Sequence, residues 1–227
     1  MVLAALVALP LAGGGALAAD EPPTFDVGMQ VSVAADGNVA SVVPEAGLPA
    51  GLNDALVEQV SQWHYTPATW QGKAVAVDTW LSLRLQAVPT TSGGFAVRVL
   101  GRGQKGQPRT VMTPPVFPVS ALRAGVNALL VYRVHVDSAG STTPVERLFP
   151  KVARGHYKSL DENSRKAIRE FRRDPIRADG VAVACDMNYP ITFTVGGAEP
   201  PPTPELPQPG NACPIAHLET DFEGTML

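Results

Sequence analysis

The sequence predicts an α+β protein of two small two-layer domains in tandem, each an antiparallel sheet covered on one face by a helix in the order strand, strand, helix, strand. Three observations predict it. Short segments alternate apolar and polar residues and end in Gly-containing turns, as half-buried strands do. Two longer segments carry apolar residues at helical spacing instead. The whole strand-and-helix outline then occurs twice, in the same order, along the 227 residues.

Residues 1–19 precede either copy. They hold no charged residue, and the apolar run beginning at Val2 closes on Ala16-Leu17-Ala18. That is the apolar core and small-residue end of a secretory signal peptide, cleaved after Ala18 or Ala19. An uncleaved anchor is the alternative, although Pro10 and Gly13-Gly14-Gly15 hold the run short of the ~20 residues a spanning helix needs. No later stretch of the sequence is long and apolar enough to span a bilayer.

The first copy, residues 25–88, opens with Val31-Ser-Val-Ala-Ala-Asp-Gly37, an alternating strand ending in an Asp-Gly turn, and a second strand over residues 38–43. Leu52, Leu56, Val60 and Trp63 then recur on one helical face. The second copy, residues 114–196, repeats the outline. Val134-His-Val-Asp-Ser-Ala-Gly140 is its first strand and turn, residues 141–148 its second, and Leu160, Ala167, Ile168 and Phe171 its helical face. Ser159-Leu-Asp-Glu162 has the pattern of a capping box at the start of that helix.

The helix ends match best. Trp63, Pro67, Gly72, Val75 and Val77 align without a gap onto Phe171, Pro175, Gly180, Val183 and Cys185. In each copy an aromatic ring closes the apolar face, and in a domain with little core one ring buries roughly 150 to 250 Å². The proline forbids continuation of the helix. A Gly turn follows, Gln71-Gly72 or Asp179-Gly180, and a long strand returns across the sheet.

This ordered set resembles the C-terminal domain of TonB-family proteins. The second copy is the better match, because Pro114-Pro-Val-Phe117-Pro118, followed by Ala121, Arg123 and Gly125, is similar to that family's entry motif. The first copy lacks the entry segment. The resemblance implies a periplasmic, non-enzymatic protein-interaction module without cofactors, whose partner is a protein or peptide such as the N-terminal segment of an outer-membrane receptor. It also implies binding by addition of that peptide to a sheet edge, where unpaired backbone groups await a partner strand. Carried over by position, the edge is the return strand of the second copy, with Tyr189, Ile191, Phe193 and Val195, and by analogy residues 81–85 in the first; the alternative is that these are ordinary core strands, one or both already paired. A homodimer is open on the same grounds.

Two features needed for energy transduction are absent from the sequence: a membrane helix with a polar residue, and a long proline-rich spacer ahead of the domain. An envelope structural or cell-wall-associated protein with the same fold and no transducing role is therefore the alternative. Residues 89–113 form a linker able to hold an extra strand, and residues 197–227 a Pro-rich tail, semi-rigid at about 3.1 Å per residue. Two cysteines in an exported chain imply one disulfide, Cys185 to Cys213. That bridge folds the tail back over the second copy, where it covers the edge a partner would use.

Charge and motif exclude other classes. The 18 basic and 21 acidic residues give no basic footprint for nucleic acid. Charged residues are 17% of the chain, below the roughly 25% of average domains, while 22 Pro and 21 Gly point to many turns. Gly101-Arg-Gly-Gln-Lys-Gly106 fits a dinucleotide fingerprint, but prolines follow where a helix must open, so it reads as linker. His64, His135, His156 and His217 are scattered, with no metal-ligand spacing and no nucleophile beside them. Arg165, Lys166, Arg169, Arg172 and Arg173 lie among Asp161, Glu162 and Glu170, a solvated face or a contact with anionic lipid or peptidoglycan.

Overall fold

The computed structural model describes residues 22–91, 93–104, 113–151, 155–199 and 201–227. The segment expected to be a signal peptide lies outside the described residues. The fold is α+β, with antiparallel sheets and three helices among the described residues.

The first sheet is built from β1 (Thr24–Val33), β2 (Val39–Pro44), β6 (Val77–Pro89) and β7 (Phe95–Arg102) in the order β2-β1-β6-β7. Between β2 and β6 run α1 (Ala50–Ser61) and three short strands, β3 (Tyr65–Thr66), β4 (Ala68–Trp70) and β5 (Lys73–Val75). β1 and β6 pair without a slip from Thr24↔Gln86 to Val33↔Val77. Their alternation therefore places Val27, Met29, Val31 and Val33 with Leu81, Leu83 and Leu85 on one buried face. Leu56 and Val60 of α1 close over it, and Trp63, just past the helix end, fills the gap between helix and sheet.

The second sheet has the order β12-β8-β9, from β8 (Ala128–Val136), β9 (Thr142–Phe149) and β12 (Cys185–Phe193). α2 (Val119–Arg123) precedes it, and α3 (His156–Glu170) and the hairpin of β10 (Arg177–Ala178) and β11 (Val181–Ala182) lie between β9 and β12. α3 buries Leu160, Ser164, Ala167 and Ile168 against Leu130, Tyr132 and Val134 of β8. In the Pro-rich entry, Phe117 meets Phe193 edge to face at 5.2 Å between ring centroids. The expected capping box does not form. α3 starts one turn earlier than expected, on Gly155, so Ser159 is already helical and its hydroxyl donates back to the His156 carbonyl.

Asp161 ties α3 to the sheet. Its carboxylate accepts hydrogen bonds from the Tyr132 hydroxyl at 2.8 Å and from Arg165, and pairs with Arg147 of β9 at 2.9 Å. Partial burial alone would raise its pKa, but the bonds from Tyr132, Arg147 and Arg165 outweigh that and hold it below the ordinary 3.8. A carboxylate depressed in the folded state stabilises above its unfolded pKa and loses that contribution as pH falls through the folded value. Asp161→Asn is therefore expected to lower the urea midpoint at neutral pH and to flatten its acid dependence below pH 3.8. Parallel midpoint-against-pH curves for the two proteins would refute this.

The two sheets share local geometry. The turn after β1 has Gly37 at φ 88° and that after β8 has Gly140 at φ 85°. Gly37 accepts the Tyr65 N–H and Gly140 the Arg173 N–H, so each turn is pinned by the segment leaving the next helix. The later hairpins place Gln71 and Asp179, both at φ 50°, directly before Gly72 and Gly180. The halves also touch: Asp179 bonds Ala76 through both its N–H and its carboxylate, and Ala178 is buried with the first core.

Candidate functional site

β12 is the terminal strand of the second sheet, with β8 on one side. In an antiparallel ladder alternate residues turn both backbone groups to the neighbour, and the residues between turn theirs away. Asp186 marks the parity, because its N–H donates outward to the Asn211 carbonyl and its carbonyl accepts the Cys213 N–H. Asn188, Pro190 and Thr192 therefore also face out. Pro190 fits this register, since a residue without an N–H is tolerated in a strand only where no ladder bond is needed.

The residues expected at this edge sit differently. Tyr189, Ile191 and Phe193 turn their backbone to β8, and Ile191 and Phe193 are buried in the core. The Tyr189 ring lies 5.7 Å from Phe171, and its burial raises the hydroxyl pKa. Val195 lies just past the strand, its N–H donated to Asn127 at 2.8 Å. Reasoning from sequence named the inward set because those are the apolar positions. Pro190 was the local signal for the outward set, since it fixes which parity lacks ladder bonds.

The analogous edge over residues 81–85 does not exist. β6 is an inner strand, paired with β1 on one side and with β7, from the stretch after it, on the other. The other border of the second sheet, β9, has register breaks at Val131/Tyr132 and Arg133/Val134 and includes Pro144, so its row of donors is interrupted. β12 keeps an unbroken register from Cys185 to Phe193.

The tail takes a longer route than expected. Pro207 accepts bonds from Arg133 and Asn188 at 3.1 Å each, and the chain then crosses the start of β12. The Cys185–Cys213 disulfide fastens it there. For a loop of this separation, 28 residues, a bridge contributes about 3 to 4 kcal/mol by loop closure. The parallel pairing is the single bridge Asp186↔Ala212, and Pro214 has no N–H with which to extend it. Beyond that point the tail leaves β12 and docks on the first half. β13 (His217–Leu218) pairs antiparallel with β3, Phe222 stacks on Trp63 at 5.0 Å, and Thr225 and Leu227 bond Val99 and Val97 of β7. The tail therefore covers the border of the first sheet and leaves the outward backbone groups of Asn188, Pro190 and Thr192 without a strand partner among the described residues.

Residues 113–195 match the family model described as the Gram-negative bacterial TonB protein C-terminal. The match supports a TonB C-terminal domain there, running from the Pro-rich entry to the end of β12, and the family is one of envelope protein-interaction domains rather than enzymes. No curated protein and no solved structure matches the chain. In this TonB-like region Phe117 packs on Phe193, Phe171 on Tyr189, and Gly180 sits at positive φ in the turn between β10 and β11. Trp63, Pro67 and Gly72 lie outside the matched residues; Trp63 is buried in the first core and Gly72 sits at positive φ.

Among the described residues no group of three or more His, Cys, Asp or Glu is placed to hold a metal ion. His135 is paired with Asp186 at 2.8 Å, and His64 lies beside Asn38. Among the same residues no helix is long and apolar enough to cross a membrane.

Proposed function

We propose that the chain is a periplasmic TonB-like interaction module of two tandem, diverged units, and that β12 of the second accepts an extended peptide by strand addition. The observation that carries the reading is the outward row of Asn188, Pro190 and Thr192, on a regular border strand within the family match. Support for two related units comes from the shared element order, from the positive-φ pairs Gly37/Gly140 and Gln71/Asp179, and from the pinning of each turn by the post-helix segment. Support for a peptide partner comes from the donors and acceptors themselves, which another strand completes without side-chain recognition. The N-terminal segment of an outer-membrane receptor is the partner the family suggests; a second copy adding strand to strand would give the homodimer.

A backbone amide NMR titration with a panel of receptor N-terminal peptides tests this. Saturable shifts at Asn188 and Thr192 are expected. Silence across the panel, with the tail present and removed, would leave an envelope scaffold as the better account. Thr192→Pro sharpens the test, because it removes an outward N–H at a position equivalent to Pro190. It is expected to weaken peptide binding about tenfold or more and to change folding stability by less than about 1 kcal/mol, whereas a proline at Ile191 removes a bond to β8 and breaks the sheet.

A further inference from the structure

A cleft of about 500 Å³ lies where the outer face of the first sheet, the segment leaving α3 and the tail after Cys213 converge. Its floor is β1 and β6. Gln30 and Trp80 are register partners, as are Ser32 and Asp78, and the Trp80 ring lies over Gly28, where any Cβ would overlap the indole. Arg173, Arg177, Met187 and Ile215 also line it, and the Met187 sulfur lies beside Arg173.

Arg173 is the unusual group. Its Nε is buried with no hydrogen-bond partner, its Nη1 has the Met187 sulfur at 3.8 Å, and among the described residues no carboxylate lies within ion-pair distance. Burial pulls its pKa below the ordinary arginine value. A buried guanidinium is costly unless a counter-charge and hydrogen bonds compensate it; here the neighbouring Tyr189 and Asp174 offset only part of the burial, and Asp174 closes no ion pair with it. Arg165, by contrast, reaches Asp161 and covers the Tyr132 ring.

We propose that this cleft binds a small carboxylate-bearing ligand, with Arg173 as the anion-binding residue. With Nε closed off, the two Nη groups are the pair that a carboxylate can meet in two parallel hydrogen bonds. Trp80 offers an apolar platform for the body of the ligand, and Gln30 and Asp78 offer acceptors for its N–H or hydroxyl groups. The volume is that of a small-molecule site. Asp78 and Asp174 on the same walls disfavour a phosphate, whose second charge Arg173 and Arg177 would have to offset against both carboxylates.

The test uses the full chain, ¹⁵N-labelled, titrated separately with N-acetylated dipeptide free acids, their amides, glucuronate and inorganic phosphate. Saturable shifts of the Gln30, Thr79 and Ile176 amides and of the Trp80 indole are expected with the acids and not with the amides or phosphate. Saturation by glucuronate alone would assign the carboxylate to a saccharide rather than a peptide end, with the site unchanged. Arg173→Met should weaken binding at least tenfold without lowering the melting temperature, since Met packs beside Met187 and removes the uncompensated charge. Arg173→Lys should fall between, and Arg169→Met, on the exposed face of α3, should bind as the parent does. Equal binding of acid and amide, or no shift in the cleft with any carboxylate, overturns the proposal. These shifts are distinct from those at Asn188 and Thr192, so this site and the strand-addition site stand or fall separately.

Discussion

Replacing Gly140 with alanine is expected to cost more than about 3 kcal/mol, a large part of the 5 to 15 kcal/mol that holds a domain folded. Two effects add. At φ 85° an L residue is strained by roughly 1 to 2 kcal/mol. A Cβ at this position would also overlap the Arg173 carbonyl oxygen, and that oxygen is not free to retreat. The Arg173 N–H is bonded to the Gly140 carbonyl, and Ser141 is bridged to Arg172, so the turn and the post-helix segment would have to separate together. Gly180→Ala is the control. Its φ is 79°, but nothing lies within 4 Å of the added carbon, so strain acts alone and about 1 kcal/mol is expected. Urea unfolding of the two variants separates the effects, and equal midpoints would show that the close approach carries no energy. If the two halves are related units, Gly37→Ala should behave as Gly140→Ala does, because its Cβ would overlap the Tyr65 carbonyl in the same way.

What could be read in the sequence was local and repeated. Alternation in β1 and β8, the helical faces ending at Trp63 and Phe171, the prolines after them and the Gly turns each depend on residues within one or two turns of chain. The misses share a different origin. The expected capping box had the right residues, but α3 begins a turn earlier, and once Ser159 is inside a helix its hydroxyl prefers the carbonyl behind it. Residues 81–85 lie in an inner strand because β7, which follows a Gly-containing turn beyond residue 88, pairs with Leu83 to Leu85 across a distance no local pattern encodes. At the candidate site the apolar alternation of Ile191 and Phe193 picks out residues whose backbone faces β8. The outward parity is marked by the backbone of Asp186 and by Pro190.

The tail was the least legible element, since nothing near Phe222 in sequence reveals that its ring belongs to Trp63. Phe222→Ala tests that assignment. The ring is 8% exposed and stacked on the indole, and truncating a buried phenylalanine costs about 3 kcal/mol. The cost should fall on the tail rather than on the whole fold, because Phe222 is the largest ring of a segment past Cys213 that docks otherwise through Ala216, Leu218, Leu227 and hydrogen bonds to His64, Thr66 and β7. Hydrogen exchange at Leu227 and Glu219, bonded to Val97 and His64, is therefore expected to accelerate about a hundredfold, as is exchange at Val99, bonded to Thr225. The Cys213 N–H, held to Asp186 beside the disulfide, should keep its protection. Unchanged exchange at residues 219–227 would mean that Phe222 does not anchor the segment. Loss extending through Cys213 would mean that the tail detaches as one piece despite its crosslink. Release also uncovers Val97 to Val99 of β7, a second unpaired border beside an exposed Phe95, so the variant should self-associate at concentrations where the parent stays dispersed. On that account the chain's own last residues close one border of the molecule by the same backbone chemistry that β12 leaves open at the other.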